Sequence, residues 1–160
     1  MTTNTIWQKK TFTQLSLDQL YDVLKLRIDV FVVEQTCYYP DLDSDKDRLD
    51  RHPQTLHLLG YQDEQLVAYL RILPKGESYK ENISIGRVAI ATHARGLGLG
   101  HELMTEALLL CQQYFPEEDI KISAQQHLKS YYQKHGFTQV SSMYLEDNIP
   151  HIAMFKECLE

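Results

Sequence analysis

The sequence predicts a mixed α/β (α+β) fold, with helices and strands interleaved in one domain spanning residues 1–160. Three observations predict it. Ser16 and Gln19 open a run whose apolar residues recur at helical spacing. Two strand-like runs, 55–61 and 66–73, flank a polar turn. A third strand-like run ends in three glycines within five positions, and a second helical pattern starts directly behind them. Such interleaving packs helices against a sheet. A domain of this size buries roughly 70% of its unfolded surface, so it needs neither disulfides nor a metal to hold a core.

Residues 5–12 form a weakly patterned first strand. Ser16 followed by Gln19 is a capping box. Leu20, Leu24, Arg27/Ile28 and Phe31 then carry a helix from about 17 to 33. Residues 38–53 are polar and acidic. Asp41, Asp43 and Asp45 imitate the start of a calcium loop, but Lys46 stands where glycine is needed and His52 where glutamate is needed. The segment reads as a solvated loop near the substrate entrance, and no metal is expected. Residues 55–61 and 66–73 form a hairpin around 62–65. After Pro74 and Gly76, residues 82–91 are a further strand. A helix follows from about 98 to 114, with Leu103, Ala107, Leu110, Cys111 and Tyr114 on one face and Pro116 past its end. A strand at 120–125, a short helix at 128–135 stopped by Gly136, and strands at 137–145 and 151–157 complete the order.

Composition removes several function classes. Net charge is −6 with no basic stripe, which argues against nucleic-acid partners. No apolar stretch is long enough to span a membrane, and residues 1–12 lack the apolar core of a signal peptide. Cys37, Cys111 and Cys158 are dispersed and odd in number, which suits reduced thiols. These features together predict a cytoplasmic protein.

The glycine string carries the chemistry. A helix leaves its first N–H groups without intrahelical partners, and its dipole favours an anion there. Gly96, Gly98 and Gly100 remove side chains that would block a pyrophosphate and permit positive φ. Arg95 adds a charge. A P-loop is excluded because His101 and Glu102 follow Gly100, and a dinucleotide-binding turn needs its third glycine at position 101. The pattern Arg/Gln-x-x-Gly-x-Gly/Ala is met at every fixed position from Arg95 to Gly100.

That pattern resembles motif A of the GNAT acyltransferases, whose loop binds the coenzyme A pyrophosphate. A second stretch, residues 130–137, resembles the family's Tyr-x-x-x-Gly-Phe signature, with Tyr132 four residues before Gly136. Further stretches between about 15 and 156, such as 26–35 and 149–155, are similar to the ElaA-like branch. The resemblance implies the GNAT acyl-CoA N-acyltransferase fold, a mixed central sheet of about six to seven strands flanked by helices. It implies acetyl-CoA as co-substrate, with no metal. A small-molecule or peptide primary amine would be the acceptor, attacking directly in a ternary complex. A homodimer is an assembly open to it. Residues 26–34 and 70–74 also look faintly like homoserine-lactone-type synthases, which share the fold but carry a longer C-terminal part. A non-catalytic acyl-CoA-binding module is the non-enzyme alternative.

By this resemblance the amides of Gly96, Leu97, Gly98, Leu99 and Gly100, with Arg95, anchor the cofactor. The backbone N–H of Val88 or Ile90 stabilises the carbonyl, and Tyr132 acts as general acid. Gln125 occupies a position where the family often has an asparagine that contacts coenzyme A. The base is open among Glu34, His127 and His151. If strands 66–73 and 83–90 pair, Arg71 and Arg87 would face each other and require a carboxylate between them. Glu34 or an acidic acceptor would supply it, so all three residues are candidate acceptor contacts.

Overall fold

The computed structural model describes residues 4–44 and 48–158. Asp45 and Lys46 lie outside the described residues. The elements are β1 (Ile6–Lys10), α1 (Leu17–Arg27), β2 (Leu56–Gln62), β3 (Gln65–Leu73), β4 (Ser84–Ile90), α2 (Leu99–Tyr114), β5 (Ile120–Gln125), α3 (Lys129–Gln133), β6 (Thr138–Gln139), β7 (Tyr144–Glu146) and β8 (Ile149–Lys156).

The capping box starts α1. Ser16 Oγ accepts from the Gln19 N–H and Gln19 Oε1 accepts from the Ser16 N–H, both at 3.0 Å. Asp18 in the first turn and Lys25 and Arg27 in the last suit the helix dipole. The helix does not stay α-helical to residue 33. From Ile28 to Glu34 it widens into π-helical turns, closed by the Gln35 N–H on the Val30 carbonyl at 3.1 Å. Four of those seven residues are β-branched, and their stiff χ1 angles crowd a tight α turn. The wide turn still buries Val30 and Phe31. Single π turns of this kind cluster at functional sites.

The strands form two four-stranded groups, more strands than the six to seven expected. One is antiparallel in the order β1-β2-β3-β4; the other runs β5-β8-β6, with β7 also on β8. Residues 137–145 split into β6 and β7 because the Ser141 hydroxyl accepts from the Ala153 N–H at 2.9 Å, where a ladder carbonyl would otherwise stand. Two hairpins close on two-residue turns with positive φ, at Asp63–Glu64 and Asp147–Asn148. Along β3, Ala68, Tyr69, Leu70 and Ile72 are wholly buried, as are Leu103, Met104 and Ala107 of α2.

The two groups meet at one parallel bridge, Ile83 with Ile120. The Ile83 N–H donates to the Asp119 carbonyl (3.1 Å) and the Lys121 N–H to the Ile83 carbonyl (3.0 Å). Beyond it β4 and β5 no longer pair. A bulge in β4 accompanies the split. Tyr69 pairs Ala89 and Arg71 pairs Gly86, so Arg87 and Val88 together oppose Leu70. Arg87 takes φ +53° there. A bulge bends its strand and increases its twist. Arg71 and Arg87 are therefore not directly opposed. No helix among the described residues is long and apolar enough to cross a membrane.

Candidate active site

A cleft of about 1140 Å³ opens where β4 and β5 part. Its walls are the β4 edge, the glycine loop, the end of β5, α3, the π-helical end of α1 and the β7–β8 turn. Val88, Ile90, Arg95, Gly96, Gly98, Leu99, Gly100, Gln125, His127, Tyr132, Glu34, Arg71, Arg87 and His151 all line it. Leu97 does not; its side chain is 79% exposed, so any part it plays is through its backbone.

The direction of the β4 amides follows from its ladder. The Ala91 N–H donates to the Val67 carbonyl at 2.8 Å. Alternate residues of an antiparallel strand turn their polar groups to opposite sides. The Ile90 N–H and C=O therefore point away from β3, toward the cleft, and the Val88 N–H shares that side. Arg95 corroborates this orientation, because its Nε (3.1 Å) and Nη2 (2.9 Å) both donate to the Ile90 carbonyl.

Gly96 has φ +90° and Gly98, the N-cap of α2, φ +82°. The first turn is held by the His101 and Glu102 N–H groups on the Gly98 carbonyl, at 3.1 and 3.2 Å. Among the described residues, no hydrogen bond occupies the N–H groups of Gly96, Leu97, Gly98, Leu99 or Gly100. Nothing stands within 4 Å of where a Cβ of Gly96 or Gly98 would lie. The loop is thus a set of free donors at a helix N-terminus, chemistry that fits a pyrophosphate.

Arg95 is engaged by more than the Ile90 carbonyl. Its Nη1 and Nη2 donate to the two Glu34 carboxylate oxygens, at 2.5 and 2.7 Å. The Thr92 hydroxyl adds a long contact to Glu34 at 3.5 Å. The Arg95 hydrogen bond holds the Glu34 carboxyl below the ordinary carboxylate range, which weakens Glu34 as a proton acceptor.

Tyr132 is packed edge-on against Tyr131 and Phe137, at ring distances of 4.9 and 5.8 Å. Burial pushes its phenol up to about 12, and among the described residues its hydroxyl has no hydrogen-bond partner. Tyr131 instead donates to the Gly100 carbonyl at 2.6 Å, locking α3 to the first turn of α2. Gln125 donates to Gln35 Oε1 at 3.2 Å. His127 is exposed in a 3₁₀ turn and makes no side-chain hydrogen bond among the described residues. His151 is buried. A carbonyl can only accept, so its Nδ1–H donates to Ile149 O (2.7 Å), and Nε2 faces Glu146 at 3.3 Å. Glu146 also accepts from the Ser123 hydroxyl (3.3 Å), which is bonded to Tyr144 at 2.5 Å.

Three carboxylates of the acidic loop, Asp41, Asp43 and Asp50, are withdrawn from solvent rather than solvated. Asp41 is 6% exposed and lies against two arginines, Arg27 and Arg87. Arg27 donates from Nε to Asp41 (2.8 Å) and from Nη1 to Asp50 (2.8 Å). Arg71 Nη1 reaches Asp43 and Asp50, each at 2.7 Å. Arg87 lies 3.0 Å from Asp41. The carboxylates that separate Arg71 from Arg87 are therefore Asp41, Asp43 and Asp50, not Glu34, and the charge argument for an acidic acceptor falls away. Burial alone would raise Asp50, but Arg27 and Arg71 hold it far below its usual value. His57 joins the network from below. Its Nε2–H donates to the Asp50 carbonyl (2.9 Å) and its Nδ1 accepts from Tyr69 (2.7 Å). Burial lowers the His57 pKa, which keeps it neutral. Sequence reasoning missed this network and the Ser123–Tyr144–Glu146–His151 chain. The available signal was Arg27 on the apolar face of α1, a charge that demands a buried partner.

A family model described as an acetyltransferase (GNAT) domain matches residues 28–158. Protein ElaA of Escherichia coli (strain K12) is 42% identical over 154 residues, covering 96% of this chain and 97% of that protein. The crystal structure of an acyl-CoA N-acyltransferase from Pseudomonas aeruginosa superposes with TM-score 0.88 at 42% identity, covering 96% of this chain and 99% of that one. The crystal structure of Escherichia coli ElaA does so with TM-score 0.88 at 40% identity, covering 96% and 100%.

Proposed function

Since the chain belongs to the GNAT acetyltransferase family, an acyltransferase superfamily, we propose that it transfers an acetyl group from acetyl-CoA to a primary amine of a small molecule or peptide. The amine attacks directly within a ternary complex. The observation that carries this reading is the run of unpartnered amides from Gly96 to Gly100, opening into the same cleft as the β4 edge and the free Tyr132 hydroxyl.

The free amides of 96–100 would hold the pyrophosphate. Arg95 lies beside them, its charge already shared with Glu34. The cofactor supplies a thioester carbonyl activated toward nucleophiles; the chain supplies everything else. The Ile90 N–H, or that of Val88, faces the cleft and stabilises negative charge as it develops on the carbonyl oxygen, a contribution of ~2.7–4 kcal/mol for one such donor. Gln125 stands at the β5 wall of the cleft, its amide donated to Gln35, and would be a further contact for coenzyme A there.

Proton transfer needs a donor and an acceptor on either side of the thioester. Tyr132 is the donor, because its phenol stays protonated at any working pH and is not engaged elsewhere. His151 is the acceptor the geometry favours. Its Nδ1 is fixed by Ile149, its Nε2 is the nitrogen left to take the amine's proton, and Glu146 stabilises the imidazolium that results. His127 lacks such orientation, and Glu34 is held by Arg95. Arg87, 23% exposed beside the ring of Tyr39, is the arginine able to contact a polar group of the acceptor. Arg71 is enclosed by Asp43 and Asp50. Cys37 is a poor nucleophile, since burial and then Asp147 raise its thiol.

The test is thiol release from acetyl-CoA across a panel of small amines and peptides. Release that depends on a primary amine, with acetylated product found by mass, supports the reading. Coenzyme A binding with no release from any amine would favour a non-catalytic binding module.

A further inference from the structure

The π-helical end of α1 lies across the split between the two half-sheets and touches both sides. Glu34 is bound by Arg95 through two N–H groups, on the β4 side. Its neighbour Gln35 receives the amide of Gln125, on the β5 side. Arg95 also donates from Nε and Nη2 to the Ile90 carbonyl. One continuous path therefore runs from α1 through Glu34 and Arg95 to the peptide between Ile90 and Ala91. On the other face of that peptide the Ala91 N–H is held by Val67. The Ile90 N–H belongs to the preceding peptide, whose Ala89 carbonyl faces Tyr69 in the β3–β4 ladder; with the peptides on both sides of the Ile90 Cα held, its dihedral angles are pinned, and so is the direction of its N–H into the cleft.

We infer that Glu34 is a positioning residue: its carboxylate fixes Arg95 and, through Arg95, the Ile90 backbone on which the acyl carbonyl would be received. The inference rests on the acyl-transfer reading of the cleft and assigns Glu34 a part other than proton acceptor. It also removes Arg95 from the main phosphate ligands, since its charge is neutralised by Glu34 and both edges of its guanidinium are in use. A planar guanidinium bound by a two-oxygen carboxylate is the geometry best suited to such a fixed link.

The experiment measures acetyl transfer and coenzyme A affinity for the wild type, Glu34→Gln, Glu34→Ala, Arg95→Ala and the double variant Glu34→Ala/Arg95→Ala. Both side chains are 39% exposed, so the fold tolerates their removal, and thermal midpoints will verify it. Glu34→Ala and Arg95→Ala should each lower kcat by roughly 10- to 100-fold, the scale of an ångström-level misplacement. The double variant should be no worse than either single one, because both break one path. Glu34→Gln, which keeps an oxygen for Arg95, should recover part of the loss. The pH profile of kcat should keep its limbs, and coenzyme A affinity should not fall in Glu34→Ala. Losses that multiply in the double variant would overturn the inference. So would a Glu34→Gln loss as deep as that of Glu34→Ala together with a displaced limb. If the wild type transfers acetyl to no amine, the acyl-transfer reading itself fails and takes this inference with it. Transfer by the wild type with independent losses sinks the inference alone.

Discussion

Burial acts on Tyr132 in two ways. It raises the phenol to about 12, which would make proton donation to a thiolate of ordinary basicity unfavourable. The same desolvation raises a thiolate, however, as Cys111 shows: burial alone moves that thiol to about 12. A leaving thiolate in the dry end of the cleft would be matched to the phenol beside it, and matched partners exchange a proton readily. Replacing Tyr132 by Phe keeps the ring packing on Phe137 and removes only the hydroxyl. We predict a fall in kcat of roughly 10²- to 10⁴-fold, with a much smaller change in coenzyme A affinity by calorimetry. Equal turnover in Tyr132→Phe and wild type would exclude the tyrosine as the acid. Tyr132 was legible because it keeps a fixed distance from Gly136. His151 was legible only as one histidine among several. What distinguishes it is contact with Ile149 and Glu146, and those contacts depend on a hairpin turn at Asp147–Asn148 that lacks the usual glycine signal.

Elements were read well where local pattern decides them. The capping box placed the start of α1, and α2 begins at Leu99, one residue from its expected start, with Gly98 as N-cap. The segment 38–53 was misread because its partners are distant in sequence. Asp41, Asp43 and Asp50 look solvated until Arg27, Arg71 and Arg87 are brought against them from three different elements. Opposite charges in equal number are visible in a sequence, but their pairing is a tertiary fact. Once paired and dehydrated, the network is costly to break. Asp50→Ala leaves Arg27 and Arg71 each short of a carboxylate, and we predict a loss of about 3–5 kcal/mol by urea unfolding near pH 7. The sign with pH follows from the depressed Asp50 value. A carboxyl whose folded pKa lies below its unfolded one stabilises fully above the unfolded value and loses that contribution as pH falls toward the folded one. The gap between wild type and Asp50→Ala should therefore be widest near neutrality and narrow below about pH 4. A gap that stays constant down to pH 3 would mean the loss is one of packing rather than charge.

At the scale of the whole molecule, the site exists because the sheet is split. One bridge at Ile83 and Ile120 ties the halves, the β4 bulge at Arg87 and Val88 turns the strand edge outward, and α2 starts where that edge ends. The sequence pattern marked β4, the glycine loop, β5 and α3 in order, so the cofactor side of the site could be read before its geometry was known. The split itself could not, because a parallel strand that fails to pair has the same composition as one that pairs. The opposite wall was marked only at Glu34 and His151, since it is assembled from the end of α1 and the β7–β8 turn, which share no motif.

On this reading the free amides from Gly96 to Gly100 receive the pyrophosphate of coenzyme A at the mouth of this split. The most direct test is a titration of the ¹⁵N-labelled protein with coenzyme A, followed amide by amide. We predict saturable shifts that are largest at residues 96–100, with smaller ones at Ile90 and along α3. Saturation that moves other amides while 96–100 stay still, or no shift at millimolar coenzyme A, would contradict it.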